Sequence, residues 1–226
     1  MPKVTEEYYE KKKQEIIDAA YRVCARKPIS SVEMKDVIDE TGFSHGVVYR
    51  YYENLDDVLR DLVIRINREN TISGELSSIV TGKDVTEWES VIREICNMLA
   101  AYLKGVGTDV LKISLYCDVL AMSDPGRVKE IAGKMKKEEA GPLLELVPTM
   151  DNYLNVVIKK NRLKPKHSTD EIIQFMIASY HGIQMGYVLS TCYDAEQLDG
   201  KYDPQIMFSC LADSVILMLK GKEKGV

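Results

Sequence analysis

The chain has 226 residues, 45% of them apolar, with five cysteines and a formal net charge of −5. That length and apolar content suffice for a packed core and exclude a largely disordered chain, while the negative balance excludes a protein that coats nucleic acid indiscriminately. No run of roughly 18 apolar residues occurs, and the charged opening MPKVTEEYYEKKKQEI lacks the apolar stretch of a secretory signal, so a cytoplasmic chain with no membrane span is expected.

Helical periodicity runs throughout and no period-two strand pattern is found, which predicts an all-α fold. In the first helix, about Thr5 to Arg26, Ile16, Ile17, Ala20, Val23 and Cys24 form an apolar stripe, Lys11 to Lys13 begin the polar side, and Pro28 ends it. SSVEMKDVIDETG reads as a short second helix with Ser30 or Ser31 as N-cap, Glu33 completing a capping box and Gly42 closing the C-terminus. Ser44 caps a third helix after a turn of only about four residues. Leu55, Val58, Leu59, Leu62, Val63 and Ile66 then mark an amphipathic fourth helix, Asn54 to about Asn70, that links two bodies.

TISGELSSIVTGKDVTE is polar and reads as a loop or frayed helix end. Trp88, Val91, Ile92, Ile95, Leu99, Tyr102 and Leu103 define the next helix, ended at Gly105 and Gly107. VLKISLYCDVLAM is apolar on nearly every side and is expected to lie buried in the middle of a domain. Pro125, Pro142 and Pro148 are expected to cut residues 124–165 into short pieces, the last with Met150, Tyr153, Leu154, Val157 and Ile158 on one face. Two final helices, about Ser168–Thr191 and Asp203–Lys220, are apolar around most of their circumference. Chain-terminal helices of that kind imply a partner.

Cys24, Cys96, Cys117, Cys192 and Cys210 are widely spaced in apolar surroundings, as befits reduced core thiols. C-x-x-C, H-E-x-x-H and G-x-x-x-x-G-K-[ST] motifs are all missing from the sequence. Neither cofactor nor metal is expected, and nothing points to an enzyme.

Three short helices with a tight turn before the third form a helix-turn-helix, whose third helix enters the major groove. EIIDAAYRVCARK, MKDVIDETGFSHGVVYRYY and NLDDVL, with Gly42, Ser44, Gly46, Tyr49 and Tyr52, resemble the N-terminal head of the TetR family of transcriptional regulators over residues 11–60. Val48 and Tyr52 are four apart and project with Phe43 into the core. His45, Val47, Tyr49, Arg50 and Tyr51 remain on other faces.

Ser44 and the N-terminal N–H groups can meet a phosphate, and Gly46 lets the backbone approach the groove. Tyr49 and Tyr51 offer hydroxyls to phosphates. His45 and Arg50 reach for base edges, and Val47 suits a thymine methyl. The resemblance adds Lys35 of the second helix as a DNA contact. It also exposes two departures, Leu55 where the family commonly has a phosphate-contacting lysine, and Glu33 with Met34 where a hydroxyl is common. Residues 1–60 carry ten Lys or Arg against twelve Asp or Glu, so DNA binding must rest on a local basic surface. With Glu33, Asp36, Glu53, Asp56 and Asp57 near the motif, weak non-specific affinity is expected.

The domain reading is residues 1–54 for DNA binding and 55–226 for effector binding and dimerisation, about nine helices in all. Ala178, Gly182, Gly186 and Ser190 recur every four residues as a small-residue strip for close helix approach, and the resemblance implies a dimer built from the last two helices. Trp88, Met98, Tyr102, Tyr116, Met122, Tyr153, Met176 and Tyr180 are candidates for an adaptable pocket. His181 is either a pocket ligand or a buried interface group. The implied function is a homodimeric repressor that binds a palindromic double-stranded DNA operator and releases it on taking up a small apolar or amphipathic effector. The alternatives are a protein-interaction module with a decayed head, or an all-α enzyme.

Overall fold

The structure is a computed structural model describing residues 5–136, 139, 142–192 and 202–221, without the side chains of 142–145 and 192. Helix α1 (Glu6–Arg26) starts where Thr5, in extended backbone, accepts a hydrogen bond from the Tyr8 N–H, and stops where Lys27 returns to extended backbone before Pro28. Its stripe, Ile16, Ile17, Ala19, Ala20, Val23 and Cys24, is buried.

Helix α2 (Met34–Thr41) begins later than the sequence suggested, because Ile29–Ser31 form a separate 3-10 turn that buries Ile29. Glu33 is therefore the N-cap rather than Ser30 or Ser31, and its N–H donates to the Asp36 carboxylate at 2.7 Å. Gly42 ends α2 with φ of 68°, a left-handed conformation in which a side chain is strained. Thr41 tightens the same corner: its hydroxyl donates to the Ile38 carbonyl and accepts from the Phe43 N–H. Helix α3 (His45–Val48) follows, then α4 (Leu55–Glu69), at whose start Asn54 Oδ1 accepts from the Asp57 N–H at 2.9 Å.

The chain continues through α5 (Ser73–Thr81), α6 (Trp88–Gly105), α7 (Thr108–Ser123), α8 (Pro125–Gly133), α9 (Pro142–Asn161), α10 (Thr169–Cys192) and α11 (Pro204–Lys220), with a 3-10 turn at Val85–Glu87. The described residues contain no strand. Three sequence expectations are corrected. The segment read as a loop or frayed helix end forms a separate helix, α5, since Leu76 and Ile72 bury on one side while the hydroxyls of Ser78 and Thr81 donate to carbonyls one turn back and leave the helix intact. Pro148 does not divide its region: α9 runs through it, with Leu146, Met150, Tyr153, Leu154 and Val157 buried on either side. Helix α7 is not buried all round, because Val119 is 46% and Met122 77% exposed. An apolar circumference does not distinguish burial within the chain from burial against something else.

Contacts divide the chain into two compact units, residues 1–69 with 112–140, and 70–111 with 141–226. In the first, α2 and α4 pack on α1, α8 packs on α4, and Ile113 and Leu120 of α7 join the core of Ile16, Val37, Val48, Tyr52, Val58 and Leu62. This unit therefore extends past residue 54 to α4 and a distant stretch of chain. In the second unit α6 packs on α11 and α5, α10 on α9 and α11, and α9 on α5. Phe208, Ile92, Leu103, Leu154, Ile172 and Leu219 are among its fully buried side chains.

Candidate nucleic-acid interface and associated surfaces

Helix α3 is short; Ser44 stands at its N-cap position, where its backbone carbonyl accepts from the N–H groups of Val47 and Val48 at 2.9 and 3.3 Å and its hydroxyl makes no capping hydrogen bond. The turn continues beyond it through Tyr49 N–H to His45, Arg50 N–H to Val47, and Tyr51 and Tyr52 N–H to Val48. Val48 and Tyr52 point inward as expected, 0% and 3% exposed, and the Tyr52 hydroxyl meets Asp61 Oδ2 at 3.1 Å. Burial, and then the Asp61 charge, push the Tyr52 phenol well above its ordinary pKa.

Lys35, Ser44, His45, Gly46, Tyr49 and Arg50 are all exposed, with Val47 half-buried. No atom lies within 4 Å of where a Gly46 Cβ would stand, so nothing inside the chain demands glycine there. Tyr51 differs from the rest. It is half-buried against the core, its ring centroid 4.8 Å from that of Tyr9. Leu55 likewise packs against this core.

Most acidic groups near the motif are engaged inside the first unit. Asp36 pairs with Lys27 at 2.7 Å, Glu40 with Arg22 and Arg26 at 2.6 Å, Asp56 with Arg127 at 2.6 Å, and Asp57 with Arg60 and Lys134. Glu33 and Glu53 are exposed. Lys12 is held by Glu15 and Lys13 by Asp61, and among the described residues Lys11, Lys35 and Arg50 are exposed cations of the head.

The second unit has an apolar cavity lined by Leu76, Ile95, Leu99, Met150, Met176, Tyr180 and neighbouring aliphatic groups. It spans about 440 Å³ counted to its open mouth, of which about 40 Å³ is roomy enough for water, so a larger guest has to part the side chains. Of the eight pocket candidates, Met176 and Tyr180 line it. Trp88, Met98 and Tyr153 are buried, and Tyr102 is half-buried, without lining it. Tyr116 packs into the core of the first unit and Met122 faces outward, so neither shares this cavity. Helical periodicity identified both as apolar, but their surroundings depended on where α7 lies.

The small-residue strip also divides. Ala178 and Gly182 are exposed, Ser190 is half-buried, and Gly186 is covered by Tyr202, whose ring would lie within 2.7 Å of any Cβ added there. A four-residue repeat drifts by about 40° per step around a helix of 3.6 residues per turn. The exposed face instead follows Phe175, Ala178, Gly182, Met185 and Leu189, alternating three and four. Ile206, Met207, Cys210 and Leu217 form an exposed counterpart on α11. His181 is exposed on α10, its ring edge-on to Tyr180 at 6.0 Å. Cys24 and Cys96 are buried as expected and Cys117 half-buried, but Cys210 is exposed; the Cys192 thiol lies outside the described residues.

Three helices with a tight turn before the third make a helix-turn-helix head, and a larger all-helical body follows it in the chain. Residues 16–62, within the head, match the family model described as bacterial regulatory proteins, tetR family. The HTH-type transcriptional regulator YfiR of Bacillus subtilis is 42% identical over 62 residues, 27% of this chain and only 30% of YfiR. The fold as a whole is shared with the fatty acid degradation regulator FadR of Bacillus halodurans, at 18% identity and TM-score 0.59, over 93% of this chain and 97% of that one. FadR of Bacillus subtilis, solved with stearoyl-CoA, gives 16% identity and TM-score 0.59 over 93% and 99%. No helix among the described residues is long and apolar enough to cross a membrane.

Proposed function

We propose that the chain is a ligand-responsive repressor that binds a palindromic operator as a homodimer in the cytoplasm. Residues 1–54 read DNA and 55–226 bind the effector and the second subunit. The observation that carries this reading is the outward set Ser44, His45, Gly46, Val47, Tyr49 and Arg50, presented by a head that matches the tetR family model and whose inward residues are all accounted for by the core. Lys35 adds an exposed cation on α2. Tyr51 supplies a backbone-facing hydroxyl at the edge of this surface.

The exposed apolar faces of α10 and α11 are the dimer surface, with Ala178 and Gly182 at closest approach and His181 beside them. Two-fold symmetry is what lets so short a recognition helix specify a long site. The effector enters the cavity beside Met176 and Tyr180 and is small and apolar or amphipathic, since the lining is aliphatic apart from one phenol. Met150 and Met176 give the walls room to rearrange. To release DNA, the effector must favour the non-binding state by a few kcal/mol, on the order of the factor needed to invert a two-state population.

The test is titration of a selected operator with the full chain, with and without ligands that raise the thermal midpoint of the free protein. Binding that weakens only in the presence of such a ligand supports the reading. Binding indifferent to every stabilising ligand contradicts it.

A further inference from the structure

Helix α1 begins ten residues before its first buried side chain, Ile16. The stretch Glu6–Glu15 contributes nothing to the hydrophobic core, and Tyr8 and Tyr9 stand 50% and 39% exposed. Two large aromatics on the surface of an otherwise charged turn call for a physical reason.

Tyr8, Tyr9, Lys12 and Lys13 share one face of α1, being spaced i, i+1, i+4 and i+5. Each of the last three touches the recognition segment at a different point. The Tyr9 ring lies 4.8 Å from the Tyr51 ring with a 42° tilt between planes. Lys12 Nζ sits over the Phe43 ring at 4.4 Å, with the Tyr8 ring at 5.9 Å and the Glu15 carboxylate at 2.7 Å completing its surroundings. Lys13 Nζ lies 5.3 Å from the Tyr52 ring and 3.1 Å from Asp61, the acceptor of the Tyr52 hydroxyl.

Phe43 precedes the recognition helix, and Tyr51 and Tyr52 follow it. The helix between them has four residues, too few for its own hydrogen bonds to hold an orientation. Val48 anchors its inner face and Tyr52 is buried just past its exit, and two anchors on one line leave a short helix free to rock about that line. The coreless start of α1 supplies grips at both ends, a cation over the ring on the entry side and an aromatic pair on the exit side.

We propose that Tyr9 is a positioning residue for DNA reading: its ring holds Tyr51, and through it the exit of the recognition helix, in the attitude that His45, Gly46, Val47, Tyr49 and Arg50 need to meet the groove. This rests on the DNA-reading role given to those residues above. Tyr9 makes no base contact in this account, and its hydroxyl is dispensable.

The test uses the full chain and a DNA site selected by the wild-type protein, and compares Tyr9→Ala, Tyr9→Phe and Arg50→Ala. An aromatic pair of this kind corresponds to about three- to tenfold in affinity. Tyr9→Ala is expected to weaken operator binding by that factor and to narrow the ratio of operator to scrambled-site affinity. Its salt dependence is expected to stay at the wild-type value and its thermal midpoint to fall by no more than a few degrees, and Tyr9→Phe is expected to bind as wild type. Unchanged operator binding by Tyr9→Ala overturns the proposal. So does a Tyr9→Phe variant as weak as Tyr9→Ala, which makes the hydroxyl itself a DNA contact. A loss matched by a fall in thermal midpoint, with discrimination unchanged, overturns it too, by making Tyr9 merely structural. Arg50→Ala separates these outcomes from failure of the underlying reading: if it also binds the selected site undiminished, the recognition assignment itself is wrong.

Discussion

The guanidinium of Arg127 donates from Nε and Nη2 to the same oxygen of Asp56, at 2.9 and 2.6 Å, joining residues 71 positions apart. Lys134 reaches Asp57 at 3.5 Å, and at the far end of α4 Arg68 meets Glu139 at 2.9 Å while Asn67 donates to the Glu139 carbonyl. The segment after α7 is thus strapped along α4 by polar contacts, and the same contacts neutralise two acidic groups at the start of that helix. Asp56 and Arg127 are about a third and a quarter exposed, so solvent screening limits the pair. A double-mutant cycle with Asp56→Ala and Arg127→Ala is expected to give a coupling of about 0.5–1 kcal/mol at low salt, shrinking towards zero at high salt.

Gly46 gives a prediction in which stability and function part company. Space around it is open in the free chain, so Gly46→Ala is expected to leave thermal stability unchanged or raise it by up to about 1 kcal/mol, the helix-propensity difference. Operator affinity is expected to fall at least about tenfold, because the added methyl stands between backbone and groove. Parallel thermal melts and anisotropy titrations read both. Undiminished affinity removes the reason given for glycine at this position.

Acid should loosen the first unit. The Lys27 hydrogen bond, followed by that from the Glu33 N–H, holds Asp36 below its ordinary value, and hydrogen bonds from Arg22 and Arg26 do the same for Glu40. At Asp57 burial works upward, but Arg60 and Lys134 outweigh it and the net shift is down. Depressed folded values mean that this stabilisation is complete above the ordinary values of 3.8 for Asp and 4.5 for Glu, and is lost as pH falls through the lower folded ones. Thermal midpoints measured from pH 7 downward are expected to hold nearly level until about pH 5 and then decline. In Glu40→Gln the midpoint starts lower and the decline is shallower.

The α10–α11 face makes a prediction about assembly and thiol chemistry together. Leu217 is 68% exposed, so Leu217→Glu has no core to disturb and is expected to raise the dimer dissociation constant at least about tenfold by sedimentation. Cys210 shares that face, and its alkylation is expected to be slow in the wild-type dimer and fast in the variant. Burial pushes the Cys24 thiol up to about 11 and those of Cys96 and Cys117 up to about 12, so these three should react slowly at pH 8 in both proteins.

The head was readable because its signals are local. The Gly42 turn, the N-cap position of Ser44 and the four-residue spacing of Val48 and Tyr52 each involve neighbours in sequence and recur in the structure, although the Ser44 hydroxyl makes no capping hydrogen bond. What escaped depends on distant chain. Neither Arg127 nor Asp56 carries a local mark of the other, and Tyr116 and Met122 look like pocket residues until α7 is placed. The four-residue strip misled for a different reason: position along the sequence showed that Gly186 is small, but not that Tyr202 fills the space beside it. Likewise nothing in the sequence brings Tyr9 to Tyr51, which lies against it in the structure.

The central claim is that the segment from Ser44 to Arg50 reads DNA. Its most direct test is selection of bound sequences from random duplex DNA by the wild-type chain and by Arg50→Ala in parallel. The account predicts that wild-type protein enriches an inverted repeat whose half-site centres lie about 34–36 Å apart or more, and that Arg50→Ala loses the preference at specific positions of each half-site. A wild-type protein that enriches nothing, or a variant that enriches the same repeat equally well, contradicts it.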